Sequence, residues 1–369
     1  MEKSPGSFER NALRKITKNP LGIASFLLIL MAALISVFAY GLSSDNVKDA
    51  NQQNLVLAHK PMGYTQLLLE VPLANYNPKN SVKDFFLGKE VETEQIAIES
   101  FEITGDSVRY VPYLGDGLKG EITALPMTEW TDKAVSKKQL EEKFIYEKKF
   151  KFGTDNYGRD FYSRLIIGTR ISFLIGFIAV FISLLVGIPI GAIGGYYRGR
   201  ADDFIMWLIN VVWSIPTLLL VIAITLALGK GFWQIFVAVG LTMWVEVARV
   251  VRGQFISYRE KEFVEAAKAM GFGDARIIFK EILPNILAPV IVISAANFAA
   301  AILVESGLSF LGIGAQPPTP SWGNLIKENY SHIILGDAHL ALLPGIAIML
   351  LVLAFNVFGN VLRDSFDVK

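Results

Sequence analysis

The sequence predicts an all-α polytopic membrane protein with about six transmembrane helices and a β-containing external insertion between the first two. Hydrophobic residues make up 52% of the 369 residues, and the mean hydropathy is +0.42. This composition is more apolar than the core of a soluble domain requires. The apolar residues also form long uncharged runs, close to the roughly 20 residues of helix that cross a bilayer. A polar stretch, residues 43–152, follows the first run.

Five of the uncharged runs are long, and a sixth is shorter but extends to Arg249, a charged end that can reach the interface. The predicted spans are Leu21–Tyr40, Ile171–Tyr197, Phe204–Gly229, Gly231–Val245, Ile282–Val304 and Leu340–Leu362. The first run is longer than the apolar region of a signal peptide, and no small-residue cleavage motif follows it. We therefore expect it to remain as an anchor.

The spans divide the chain into parts with a predicted orientation. The parts are a cytoplasmic N-terminus at 1–20, a first transmembrane helix at 21–42, an extracytoplasmic insertion at 43–152 and a core of five transmembrane helices at 153–369. Positive charge beside a span is retained in the cytoplasm. Lysine and arginine concentrate on the side of the N-terminus, and the two short opposite loops hold one each, Lys230 and Lys327. We predict a multi-pass protein of the cytoplasmic (inner) membrane with both termini cytoplasmic.

A β-hairpin is predicted within the insertion. Gln95–Thr104 alternates apolar and polar residues, and its phase slips between Ile98 and Phe101, as at a bulge. Gly105–Asp106 can form the turn before a second strand, Val108–Leu114.

The end of the insertion, Lys133–Lys151, is rich in lysine and glutamate and predicts an exposed helix leading back to the membrane. The insertion contains no catalytic constellation. It either contacts an external partner or is a family-specific addition.

Small and charged residues inside the spans predict helix packing and a possible gate. Gly187, Gly191 and Gly195 recur every fourth residue, so they share a helix face that a neighbouring helix can approach closely. Glu305 is costly in lipid and must face protein or water. It is a candidate for the gate or path together with Ser309, or it hydrogen-bonds locally as a structural group.

Composition excludes several classes of function. There are no cysteines, and the three histidines, His59, His332 and His339, are scattered without the spacing of a metal motif, so we expect no metal site. The net charge of +1 argues against nucleic acid as a partner. The chain has no G-x-x-x-x-G-K-[ST] phosphate loop, so we expect no enzyme activity and no bound cofactor.

The polar segment Tyr258–Pro284, between the fourth and fifth spans, is the strongest functional candidate. Lys261–Met270 predicts a short amphipathic helix, which Gly271 can end in a left-handed cap. Its predicted apolar face consists of Phe263, Ala266, Ala267 and Met270. Such a helix can dock in a groove of a cytosolic partner, or it can rest on lipid.

A second short helix is predicted at Asp274–Ile282, with Asp274 at its N-terminus, where a carboxylate is favourable. Pro284 is then expected to break the chain before the next span.

Residues of this segment resemble the EAA loop of ABC-importer permeases, whose coupling helix seats in the ATPase subunit. The matching residues are Glu265, Ala266, Ala267, Gly271, Ile282, Leu283 and Pro284. Other segments resemble the C-type permease of dipeptide, oligopeptide and nickel importers. These segments are Gly153–Arg170, Gly195–Tyr197 with Asp202, Arg249–Arg252, Glu305–Gly312, Ser321–Gly323 and Leu362–Asp364.

The resemblance covers Leu13–Tyr40 and Gly153–Asp367 and leaves out the insertion. The chain departs from the family pattern at Asn360, where aspartate is usual, and at Val368-Lys369, where a proline-basic pair is usual.

The resemblance implies a permease subunit of an ATP-driven, binding-protein-dependent importer, of di- or oligopeptides by family frequency. The implied partners are a paralogous second permease, two cytoplasmic ABC ATPases that carry ATP and Mg²⁺, an extracytoplasmic substrate-binding protein and membrane lipid. The main alternative is a secondary transporter or channel, which would show internal repeats or several intramembrane ionisable residues. A membrane-anchored sensor would require an output domain, and a membrane-embedded hydrolase would require catalytic groups within spans.

Overall fold

The computed structural model describes residues 15, 17–73, 82–104, 107–126, 144–229 and 231–366. These residues are mostly helical, with one small antiparallel sheet. The chain divides into two compact units. We call residues 1–34, 171–316 and 345–369 the helical unit, and residues 35–170 and 317–344 the sheet unit.

The sheet unit is built on five antiparallel strands in the order β4-β3-β2-β1-β5. The strands are β1 (Tyr64–Pro72), β2 (Thr93–Thr104), β3 (Ser107–Pro112), β4 (Thr123–Pro126) and β5 (Ile145–Phe150). One face carries the fully buried side chains of Leu69, Ile98 and Val108. This apolar face supplies the burial that a small sheet needs for stability.

The predicted hairpin is confirmed. β2 and β3 pair antiparallel, and their register shifts between Ile98 and Ser100, where the sequence predicts a bulge. The predicted turn at Gly105–Asp106 lies outside the described residues.

The helix predicted at Lys133–Lys151 is wrong for its last part, because residues 145–150 form β5. This strand pairs with β1 in the register Leu69↔Ile145 and Tyr64↔Phe150. Lys148 and Phe150 are buried and Glu147 and Lys149 are exposed, which is the alternation of a strand. The lysine-rich composition hid this alternation. Residues 133–143 of the prediction lie outside the described part of the chain.

Among the described residues, five helices are long and apolar enough to cross a membrane, and a bent pair brings the number to six if it forms one span. The five are Pro20–Leu42, Phe161–Tyr197, Trp233–Arg259, Asp274–Phe310 and His339–Phe366. We name the helices of this part α1 (Pro20–Leu42), α2 (Phe161–Tyr197), α3 (Gly199–Trp213), α4 (Thr217–Leu228) and α5 (Phe232–Arg259).

The predicted third span, Phe204–Gly229, is two helices and not one. α3 and α4 meet at an angle of 89° around Ser214–Pro216. Pro216 has no backbone N–H to donate and constrains the residue before it away from helical geometry. The backbone N–H of Ser214 still bonds to the oxygen of Asn210 and closes the last turn of α3. The chain therefore turns at this proline inside an otherwise apolar run.

α2 and α5 pack closely along a face of α2 that bears three glycines. These are Gly187, Gly191 and Gly195. A Cβ added at these glycines, in that order, would lie 2.6 Å from the Cβ of Val247, 2.4 Å from the carbonyl oxygen of Ala248 and 2.5 Å from the Cβ of Phe255. No side chain fits at such distances, so glycine allows the two backbones to approach.

Candidate functional site

The segment between α5 and the next long helix consists of short turns of different helical types. The elements are α6 (Glu262–Ala269), α7 (Asp274–Arg276), a π-helix (Ile277–Ile282), a 3₁₀-helix (Leu283–Ile286) and α8 (Leu287–Phe310). α6 begins only two residues after α5 ends. It therefore continues directly from a membrane-spanning helix.

One face of α6 packs into the core of the helical unit. Val264 is fully buried and Ala267 is 2% exposed. Both join a cluster with Phe255 of α5 and with Ile277 and Ile282 of the π-helix. This apolar contact holds α6 against the helices on either side of it in the chain.

The neighbouring face of α6, about 100° around the helix, presents apolar side chains to the surface. Phe263 is 40% exposed, Met270 is 64% exposed and Ala266 is exposed. We call these three residues the α6 patch; Glu262 and Glu265 are exposed beside it. Ala267 belongs to the same predicted face, and it lies on the side of that face nearest Val264, where it is buried in the core cluster. The helix has two apolar stripes, one for its own core and one left uncovered.

Gly271 ends α6 in a left-handed conformation with φ of +78°. Its N–H donates to the oxygen of Lys268 at 2.9 Å, and the N–H of Phe272 donates to the oxygen of Ala267 at 3.1 Å. This pair of bonds defines a Schellman cap. Phe272 and Ala267 both pack on the core cluster, which is the apolar contact that accompanies such a cap.

The second predicted helix is present over Asp274–Ile282 but changes its helical type, and the predicted break at Pro284 needs correction. The α-helical part is only α7, Asp274–Arg276, and residues 277–282 form a π-helix. Helical structure then continues past Pro284 through the 3₁₀ turn into α8. Pro284 lacks a donor, and the changes of helical type redistribute the hydrogen bonds around it. Ile282 is buried, Leu283 is half-buried and Pro284 is exposed.

Polar contacts join the segment to the membrane-spanning helices. The hydroxyl of Tyr196, at the end of α2, donates to Oδ1 of Asp274 at 2.7 Å. Nζ of Lys268 lies 5.6 Å from the ring centroid of Tyr196. On α5, Arg252 binds Asp202 of α3 through two nitrogens, with Nη2 2.6 Å from Oδ2. A displacement of α6 would therefore be transmitted to α2 through Tyr196 and to α5 through the core cluster.

Glu305 and Ser309 are fully buried in α8, with exposed fractions of 0% and 1%. Oγ of Ser309 donates to Oε1 of Glu305 at 2.6 Å and accepts from the backbone N–H of Ala315 at 3.1 Å. This local bond agrees with the structural alternative for Glu305. A role in a gate or path stays a prediction.

The sequence analysis missed a buried ion network in the sheet unit. Arg159 Nε lies 2.7 Å from Oδ2 of Asp155, and Arg159 Nη2 lies 2.8 Å from Oε2 of Glu328. Arg164 Nη2 lies 3.1 Å from the same oxygen of Glu328, and its Nε lies 3.5 Å from Oδ2 of Asp155. The two arginines and two carboxylates balance in charge. Three of them belong to the Gly153–Arg170 segment that carries the resemblance, which was the available signal.

Comparison with known proteins identifies the family. The family described as "Binding-protein-dependent transport system inner membrane component" matches residues 187–369. A glutathione transport system permease protein, GsiD, of Pectobacterium atrosepticum is 39% identical over 59% of this chain and 72% of its own length. A dipeptide transport system permease protein, DppC, of Alkalihalophilus pseudofirmus is 42% identical over 59% of this chain and 71% of its own length.

Among solved structures, an inward-facing MetNI methionine ABC transporter chain has a TM-score of 0.46 and 18% identity, over 55% of this chain and 95% of that chain. The sequence relatives cover the greater part of their own length at well above 30% identity. This chain belongs to the family of binding-protein-dependent transport system inner membrane components. It is a multi-pass membrane permease, and the prediction of an importer is confirmed over that of a secondary transporter or channel.

Proposed function

We propose that this chain forms half of the translocation channel of an ATP-driven importer of di- or oligopeptides and that the α6 patch seats in a cytoplasmic ATPase. The relatives named for glutathione and dipeptide transport support the substrate class. One observation carries the coupling proposal: α6 is packed firmly on one face by Val264 and Ala267, while Phe263, Ala266 and Met270 are exposed on the adjacent face.

An exposed aromatic ring and a methionine on a short helix are suited to a groove in a partner protein. Ala266 lies between Phe263 and Met270 on the exposed face, and its small side chain permits close approach of the partner. Glu265 offers a charge at the margin for a basic residue of the ATPase. The other residues of the motif hold the segment in position. Ala267, Ile282 and Leu283 pack in or against the core cluster. Gly271 forms the cap of α6, and Pro284 lies in the 3₁₀ turn that leads into α8.

The arrangement can transmit force to the channel. Closure of the ATPase pair would displace α6, and the contacts of Tyr196, Asp274 and the core cluster would pass that displacement to α2 and α5. The glycine-lined contact makes α2 and α5 a closely packed pair that moves together. The permease would then alternate between inward-open and outward-open arrangements.

The remaining assignments complete the proposal. Both termini and α6 lie in the cytoplasm, and the insertion 43–152 lies outside, where a substrate-binding protein delivers cargo. A paralogous permease forms the other half of the channel. Two ABC ATPases carry ATP and Mg²⁺, because this chain has no phosphate-binding loop.

Cysteine cross-linking tests the α6 patch directly, since the native chain has no cysteine. Ala266→Cys, labelled with benzophenone maleimide in the complex with its co-expressed ATPases, should give a single adduct with an ATPase on irradiation, because the excited ketone inserts into a C–H bond of the partner and needs no thiol there. Thr65→Cys, exposed on β1 of the sheet unit, is the matched control and should give none. In intact cells, a membrane-impermeant maleimide should label Thr65→Cys and not Ala266→Cys. The reverse labelling, or co-purification of an ATPase without any adduct at Ala266→Cys, would contradict the proposal.

A further inference from the structure

Two histidines and an aspartate that are far apart in the sequence come together in the sheet unit. The ligand atoms of His59, His332 and Asp337 all lie within 4.8 Å of one another. The rings of His59 and His332 are 4.5 Å apart between centroids, with an interplanar angle of 32°. The histidines are therefore scattered along the sequence, as expected, but His59 and His332 are neighbours in the folded structure.

Over the parts of the chain that the structure describes, no hydrogen bond or ion pair engages the side chains of these three residues. His332 is only 6% exposed. A largely buried imidazole that makes no hydrogen bond to another protein group requires an explanation.

The backbone holds the three residues in place. His59 has a left-handed φ of +59°, and its N–H donates to the oxygen of Asp155 at 3.3 Å. The next residue, Lys60, donates its N–H to Oγ1 of Thr154 at 2.8 Å and accepts from the N–H of Thr154 at 3.1 Å. The turn that carries His59 is thus clamped to the segment that contains the buried ion network.

His332 and Asp337 lie on one short loop. His332 begins the helical turn His332–Leu335, and Gly336 follows with φ of +111°. This left-handed residue turns the chain so that Asp337 returns beside His332. Lys60, which follows His59 in the sequence, has its ammonium group 2.9 Å from Oδ2 of Asp116 and 2.6 Å from the hydroxyl of Tyr113, so its charge is already compensated.

We propose that His59, His332 and Asp337 bind a divalent transition-metal ion of the zinc class. Two imidazole nitrogens and one carboxylate oxygen, without sulfur, suit Zn²⁺ and the related ions Co²⁺ and Ni²⁺. Ligand atoms around Zn²⁺ lie about 3.3 Å apart, given metal–ligand distances of about 2.0 Å, and rotation of the exposed His59 side chain can close the difference. Three protein ligands leave one position for water or a ligand from outside.

The consequence is a metal cross-link within the sheet unit. It joins the turn that precedes β1 to the loop that precedes the last long helix, which are separated by more than two hundred residues of sequence. Binding energy that depends on both segments being in place would stabilise the folded unit. The inference does not depend on the coupling role of α6.

Metal binding to the purified full chain in lipid nanodiscs, made with a histidine-free affinity tag, tests the proposal. Equilibrium dialysis against micromolar Zn²⁺ with mass-spectrometric metal analysis should give one Zn²⁺ per chain. His59→Ala, His332→Ala and Asp337→Asn should each weaken binding by more than the roughly 10–100-fold that loss of an outer-shell partner costs. His339→Ala is the matched control, because this remaining histidine contacts the oxygen of Phe152 at 3.1 Å instead, and it should bind as the native chain does.

Two further readouts separate loss of a ligand from loss of the fold. Zn²⁺ should raise the Tm of the native chain and of His339→Ala, and should leave the Tm of His59→Ala unchanged while that exposed variant remains folded without metal. Co²⁺ should give visible d–d absorption that disappears in His332→Ala. Absence of bound Zn²⁺ on the native chain, or equal binding by the native chain and the three ligand variants, would overturn the proposal.

Discussion

The buried ion network and the α6 patch each place side chains in unfavourable surroundings, charges in the interior and apolar groups at the surface. The charges are paired within the protein, and the apolar groups are not covered. In the network, Arg159 and Arg164 are 3% and 0% exposed, and their charges meet Asp155 and Glu328 within the same unit. In the patch, Phe263 and Met270 are exposed, whereas Val264 and Ala267 of the same helix are covered by the core cluster. Internal compensation indicates a stabilising role, and uncovered apolar surface indicates a partner.

The largest effect on stability is expected from Arg164→Met. Removal of this fully buried guanidinium leaves the carboxylates of Asp155 and Glu328 with one arginine between them, and breaking a buried ion cluster costs about 3–5 kcal/mol. Thermal or denaturant unfolding of the purified chain should show the loss. Arg109→Met, on an exposed position of β3, is the matched control and should stay within about 0.5 kcal/mol of the native chain. Equal stability of the two variants would show that the buried ion network contributes no more to folding than an exposed arginine does.

A smaller loss, of about 1–3 kcal/mol, is expected for Gly191→Ala, because the new Cβ would lie 2.4 Å from the backbone oxygen of Ala248. Gly253→Ala on α5 is the control, since nothing lies within 4 Å of its added Cβ. Alanine is the better helix former, so this control should be neutral or stabilising. Unfolding of both variants measures the difference, and a stabilised Gly191→Ala would show that α2 and α5 do not pack as described.

Gly271→Ala should cost about 1–2 kcal/mol through its left-handed backbone alone, because no atom lies within 4 Å of the added Cβ. Gly273→Ala is a close control, with equally open space and an ordinary φ of −68°. Because the cap orients α6, Gly271→Ala should also reduce uptake of a labelled dipeptide in cells that express the whole importer. Uptake equal to that of Gly273→Ala would show that the Gly271 cap is not needed for coupling to the ATPase.

The smallest effect on unfolding, below about 1 kcal/mol, is expected for Met270→Asp, since the side chain is exposed and an acidic group near a helix C-terminus is only mildly unfavourable. Its effect on transport should nevertheless be large, because a carboxylate would be buried in the ATPase groove. Met62→Asp, at an exposed methionine of the sheet unit, should retain both stability and transport. Normal ATP-driven uptake by Met270→Asp would show that the α6 patch does not seat in the ATPase.

Much of the fold followed from local patterns. Apolar runs located the long helices, alternation with a slipped phase located the β2–β3 bulge, and the four-residue glycine spacing pointed to a face that lies against α5. These patterns depend on the nearest neighbours of each residue and on the period of the element. They are therefore readable in a single sequence.

The errors share a different cause. The bend at Ser214–Pro216 and the continuous path past Pro284 show that the same residue type can end a helix or be accommodated, depending on which groups nearby accept the freed hydrogen bonds. β5 became a strand because β1 offered it a partner. The strand pairing depends on a partner that is distant in the sequence, and the two prolines differ in the hydrogen bonds that the surrounding backbone makes.

The sequence by itself determined that this is a membrane protein, where its long apolar segments lie and which short segment resembles a coupling loop, because hydrophobicity, helical period and motif spacing are local properties. The tertiary structure decided which face of α6 is exposed, which arginines balance which carboxylates and that His59 lies beside His332 and Asp337. The contacts of Glu328 with both arginines and of His59 with His332 join residues more than one hundred positions apart, and no local pattern specifies such pairs.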